Sequence, residues 1–140
     1  MKHYYEIDEG LYNLALEVLE EREDLKPLAE SGARICFLTS TEYKKTKRKI
    51  VFADTRIVKG VWTAFVPYDF IITFYIRHIT QLDNEQLKIL MWHELKHCGV
   101  TSGEQFYIEP HDIEDFNKII EEYGHRWADQ RQVGGEAELD

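Results

Sequence analysis

His93-Glu94-Leu95-Lys96-His97 places two imidazoles four residues apart, with a carboxylate directly after the first. On a helix, residues i and i+4 lie one above the other, so His93 and His97 point the same way and can bind one ion together. Glu94 is rotated about a third of a turn from His93, which displaces it from the ligand set and turns it toward a water held on the ion. Zinc lowers the pKa of such a water, and the carboxylate takes its proton as the water attacks a carbonyl. The same carboxylate can then pass the proton to the departing amine. The spacing therefore points to Zn2+-dependent hydrolysis of a peptide bond, with His93 and His97 as metal ligands and Glu94 as general base.

A catalytic zinc has three protein ligands and one open position, so two histidines are not a complete site. Downstream donors are Glu104, Glu109, His111, Asp112, Glu114, Asp115 and His125. His111 is favoured on chemistry. It follows Pro110 at the mouth of a helix, where a turn would bring it back over His93 and His97, and a neutral imidazole is a normal third donor. Glu114 is the rival, with His125 behind it. Asp69, Asp112 or Asp115 could accept the second ring N–H of a ligand histidine. For Asp112 and Asp115, favourable charge at a helix N-terminus is the preferred reading. Tyr107 or Tyr123 could donate to a developing oxyanion, although packing is the simpler role for either. Cys98 reads as a packing residue, Met91 and Trp92 read as core or cleft-wall residues, and His3 and His78 receive no role. Imidazole donors suit zinc, and cobalt, nickel or iron fit the same set.

The elements that must position these groups follow from periodicity. Residues 7–23 carry Ile7, Leu11, Leu14, Ala15, Val18 and Leu19 at helical spacing, and Pro27 ends or interrupts that element. Residues 33–39 and 49–54 read as strands linked by the basic stretch 44–49. Residues 60–66 form a third strand or a substrate-side loop. Residues 68–79, rich in β-branched and aromatic side chains, read as a central strand. Asp83 caps the helix that carries the motif, with Gln86 completing a capping box, and the helix runs over 84–98 to a stop at Gly99. Asp112 caps a second helix with Ile113, Phe116, Ile119 and Ile120 as its apolar face. The order helix, strands, helix, helix gives an α+β fold with helices on a small mixed sheet. Residues 1–126 form one domain, and 127–140 are a helix end and a frayed tail.

With 140 residues there is room for one such domain. No segment is long and apolar enough to span a membrane, no secretory leader is visible at the start, and Cys36 and Cys98 form no disulfide framework. A cytoplasmic protein with reduced thiols is expected. A net charge of −9 disfavours a broad grip on nucleic acid. The local exception is Lys44, Lys45, Lys47, Arg48 and Lys49, a solvated hairpin loop that could touch phosphate.

"HELKH" on its helix, "HDIEDF" at 111–116, the strands around "ARICFLT" and "KIVFADTR", and "DFIITFY" before the helix resemble the phage metallopeptidase family over roughly residues 5–125. These are small zincin-like domains of phages and prophages, and more distantly they resemble the SprT-like zincins. The resemblance implies a zinc metallopeptidase acting on protein or peptide. It assigns His93 and His97 as the first two ligands, Glu94 as the catalytic glutamate and His111 as the third ligand. The metzincin pattern does not fit, because Gly99 and His111 fall at the wrong distances from His97. An edge strand beside the motif helix would hold an extended peptide, and residues 60–66 are the candidate. Two rivals stay open: a metal-binding module without turnover, and a hydrolase of a non-protein amide. Oligomeric state is not legible.

Overall fold

In the computed structural model, which describes residues 3–47, 49–103, 105–110 and 120, a short strand β1 (Tyr5–Ile7) runs into helix α1 (Glu9–Glu21). Asp8 sets the junction, since its carboxylate accepts the Leu11 N–H at 2.9 Å and satisfies one orphan donor of the first turn. Residue 7 therefore belongs to a strand, not to the expected helix. Pro27 does not end a helix either. It lies in the first turn of α2 (Lys26–Glu30), where its missing N–H is no loss and its fixed φ suits a helix start.

The main sheet contains β1, β2 (Ile35–Ser40), β5 (Ala53–Ile57) and β6 (Phe70–Tyr75), in the order β1-β2-β6-β5. β2 and β6 are parallel, with Phe37 opposite Ile72, and the outer two strands run antiparallel to their neighbours. β6 is central, as expected, but its last four expected residues form the short helix α3 (Ile76–Ile79). The sequence 33–54 does not fold as one pair of strands around a loop. The basic stretch makes its own small hairpin, β3 (Lys45–Thr46) with β4 (Lys49–Ile50), and β6 separates β2 from β5. Residues 60–64 are not a strand but a 3-10 turn.

Helix α4 (Asn84–Lys96) carries the motif. Its capping box is complete: Gln86 N–H donates to the Asp83 carboxylate at 2.8 Å and Asp83 N–H to the Gln86 side chain at 3.0 Å. Phe70, Ile72 and Phe74 alternate along β6 and are fully buried with Leu11, Ala15 and Val18 of α1 and with Ile89, Leu90 and Leu95 of α4. Each of these Val, Leu, Ile and Phe side chains is worth about 1.5–3 kcal/mol of burial. Cys36 and Cys98 are buried free thiols. No helix among the described residues is long and apolar enough to cross a membrane.

α4 ends earlier than expected. The chain continues into β7 (Cys98–Val100), which pairs with β8 (Phe106–Ile108). Gly99 is not a left-handed helix stop. It sits in β7 opposite Tyr107, and a Cβ there would lie 2.5 Å from the Tyr107 ring. Gly99→Ala is therefore expected to destabilise the fold by about 1–3 kcal/mol through forced displacement of that ring. In a Tyr107→Ala background the same substitution should lose most of its effect in thermal denaturation. Equal losses in both backgrounds would mean that the ring is not the obstacle.

Candidate metal centre

From Ile89 to Leu95 every residue of α4 is buried, so the motif lies on a helix enclosed on all sides, not on a surface helix. Polar anchors hold this helix in place. Trp92 donates its indole N–H to Asp24 at 2.9 Å. The Arg22 guanidinium lies 4.6 Å and the Lys96 ammonium 4.8 Å from the Trp92 ring centre. Lys88 reaches Glu17 at 2.8 Å and Glu21 at 2.9 Å on α1. Trp92 and Met91 are core residues as expected, and so is Cys98, whose thiol is pushed up by burial.

At the end of α4, His93, Glu94 and His97 each offer a ligand atom, and these atoms lie within 4.8 Å of one another. The rings of His93 and His97 stand nearly perpendicular at 89°, their centres 5.2 Å apart. His97 is the helix C-cap, and backbone from the segment after β8 clasps it twice. Glu109 N–H donates to the His97 carbonyl at 2.7 Å, and the His97 Nδ1 lies 2.6 Å from the Glu109 carbonyl. A carbonyl only accepts, so Nδ1 carries the proton and Nε2 is the ring nitrogen with a lone pair that a metal could use. Two imidazoles with one ring oriented by a backbone carbonyl fit a zinc-type donor set.

Glu94 is 4% exposed. The Thr55 hydroxyl, from β5, lies 2.7 Å from its carboxylate and 3.2 Å from its backbone carbonyl. Asp54 stands beside it on the same strand, accepting the Tyr75 hydroxyl at 2.6 Å and facing the Arg56 guanidinium at 3.8 Å. Burial raises the Glu94 carboxyl, the Thr55 bond opposes this, and the Asp54 charge adds to it, so that the group is pushed up to about 7.

Among the remaining candidates, Glu109 contributes its backbone to His97, while its carboxylate accepts the Tyr107 hydroxyl at 2.9 Å. That bond commits Tyr107 away from an oxyanion role. Asp69 takes the Arg34 N–H at 2.8 Å and pairs with the Arg34 side chain at the start of the β2–β6 ladder. It therefore does not serve a ligand histidine. His78 is buried in α3 between Tyr43 and Phe52. His111 and the rivals Glu114 and His125 lie outside the described residues, as do Glu104, Asp112, Asp115, Tyr123 and the expected tail 127–140.

Sequence reasoning missed Thr55, Asp54 and the Glu109 backbone. The signal for Thr55 was present: Ala53, Thr55 and Ile57 alternate onto one face of a strand, and a lone hydroxyl between two apolar neighbours facing a helix needs a polar partner. Ending the strand at residue 54 hid it.

The raised Glu94 carboxyl has a signed consequence for stability. Its protonated form is favoured in the fold, so its contribution is fully present below the ordinary value of 4.5 and is lost as pH rises through about 7. In metal-free protein at pH 8, Glu94→Gln should be the more stable by up to about 3 kcal/mol. The difference should vanish near pH 4, as read by chemical denaturation across that range. A variant no more stable than wild type at pH 8 would contradict a destabilised buried carboxylate.

A family model described as "Putative phage metallopeptidase" matches residues 3–135, nearly the whole chain. No curated protein and no solved structure matches it. With the His93-Glu94-His97 cluster on α4 and a match of that extent, the chain belongs to the phage metallopeptidase family.

Proposed function

We propose that the protein is a zinc-dependent peptidase, and the observation that carries this reading is the His93-Glu94-His97 cluster, in which Glu94 is buried and bonded to Thr55 and the His97 ring meets the Glu109 carbonyl. His93 and His97 would hold the ion, His97 through Nε2, and His111 is the proposed third ligand. A zinc ion bound there supplies Lewis acidity, acidifying water and polarising the scissile carbonyl. Glu94 takes the proton from the attacking water and returns it to the amine nitrogen as the C–N bond breaks. In the metal-free protein this carboxyl is pushed up to about 7, and a zinc ion held beside it would draw it down again. Thr55 fixes which way the Glu94 carboxylate faces.

β5 supports the peptide as substrate. It is the last strand of the sheet on the side of the motif, bonded among the described residues to β6 alone although β8 also packs close to it, and its Thr55 touches Glu94. A peptide added along its outer edge passes beside the general base, and main-chain pairing there is independent of side-chain identity. β5 thus replaces residues 60–66 as the edge strand expected to align substrate.

Elemental analysis of untagged protein should give about one zinc per chain. His93→Ala, His97→Ala and His111→Ala should lose it. Glu94→Gln should keep it while kcat on a peptide substrate falls about a hundredfold or more. Wild type without stoichiometric zinc after add-back at neutral pH would overturn the hydrolase reading. Full zinc occupancy in His111→Ala would move the third ligand elsewhere. Zinc bound with no cleavage of any peptide would leave the binding module or the non-protein amide.

A further inference from the structure

Two surface features flank β5, one at each end. Before it, only Val51 and Phe52 separate β5 from the β3–β4 hairpin. That hairpin turns through Lys47, in the left-handed region at φ 57°, and it presents Lys45 and Lys47 to solvent. Its base is fixed: Val51 N–H donates to the Lys44 carbonyl at 3.0 Å, and the Lys44 ammonium lies 5.9 Å from the Tyr75 ring centre. Glu42 and Asp54 are the nearby acids. Asp54 is engaged by Tyr75 and Arg56, and Glu42 receives the Tyr5 hydroxyl.

After β5, Val58 and Lys59 lead into the 3-10 turn Gly60–Ala64. Backbone bonds build this turn, with the Phe65 and Val66 N–H groups both donating to the Trp62 carbonyl at 3.0 and 2.9 Å, and with Gly60 at φ 65°. Val61, Trp62 and Phe65 are nevertheless 68%, 63% and 71% exposed, and the two aromatic rings meet edge to face. An ordered turn that holds three large apolar side chains in water is the kind of patch that marks a contact surface.

We infer that the hairpin and the turn are two ends of one docking track for an extended peptide, acidic where it meets Lys45 and Lys47 and bulky and apolar where it meets Val61, Trp62 and Phe65. This rests on the peptidase reading and names its substrate class. Both patches are joined to the two ends of the same edge strand, about 16 Å long, so an extended chain on β5 reaches both at once. The charge of the hairpin is also local: a protein of net charge −9 repels a long polyanion or an anionic bilayer, whereas a short acidic segment on the hairpin escapes most of that field.

The test uses full-length Glu94→Gln protein and fluorescence anisotropy with labelled twelve-residue peptides. Each carries an acidic block at one end and Phe-Leu at the other, and each is made in forward and reversed order. One order should bind. Lys45→Glu/Lys47→Glu should weaken it about tenfold, and a lysine block in place of the acidic one should restore binding to that variant. Trp62→Ala/Phe65→Ala should also weaken it about tenfold, without charge rescue. All substituted residues are exposed, and circular dichroism checks that the fold is kept. Unchanged affinity in both variants overturns the track. So does tighter binding of an oligonucleotide or of phosphatidylserine vesicles than of either peptide at the same salt. If wild type holds zinc and cleaves peptides but neither patch matters, this inference falls and the peptidase reading stands. If the peptide pattern holds but zinc does not bind, the track stands and the catalytic reading falls.

Discussion

A carboxylate buried between a helix and the edge of a sheet is the constraint around which this domain is arranged. Glu94 is 4% exposed and takes a hydrogen bond from Thr55 of β5. Burying such a group without compensation is costly, and a single neutral hydroxyl only partly offsets the loss of water. The fold tolerates it because the surroundings are rigid. β5 is laddered to β6 over five residue pairs, and α4 is locked by its capping box at one end and by Glu109 at the other. The strain on Glu94 and its usefulness as a proton carrier have the same origin.

The helix achieves this by being central. From Ile89 to Leu95 it is buried on every side, so His93 and Glu94 occupy enclosed positions, while half-buried His97 caps the helix at the edge of the core. Trp92, one residue before the motif, is bonded to Asp24 and flanked by Arg22 and Lys96. Lys88 ties the preceding turn to α1. These contacts set the rotation of α4 about its axis, and that rotation decides which way both imidazoles face. The β7–β8 hairpin sets the other boundary condition. Tyr107 over Gly99 brings the chain back so that Glu109 meets His97.

The sequence showed most plainly what depends on local pattern. Asp83 and Gln86 announced the start of α4, the i, i+4 histidines announced their shared face, and the β-branched run 70–75 announced the central strand. What it concealed depends on partners distant in sequence. The hydroxyl that meets Glu94 comes from 39 residues upstream, and its only local mark is the alternation of Ala53, Thr55 and Ile57 on one face of β5. Gly99 suggested a helix stop because glycine is the usual residue there, whereas its need is set by a ring across a strand pair. Residues 60–66 looked like a strand by composition, but β-branched and aromatic content measures fit to a half-buried sheet, and here those side chains are exposed on a turn. Three-residue strands such as β1, β7 and β8 are too short to show alternation at all.

The central claim is that His97 is pre-oriented by the Glu109 carbonyl to offer Nε2 to a metal alongside His93. Long-range proton–nitrogen correlation spectra of histidine-labelled protein, before and after zinc is added, test it most directly. The account predicts that metal-free His97 is the Nδ1–H tautomer. It also predicts that zinc shifts the His97 Nε2 together with one nitrogen of His93 while the His97 Nδ1 proton stays in place. A metal-free His97 protonated at Nε2, or zinc that leaves both histidines unshifted, would contradict it.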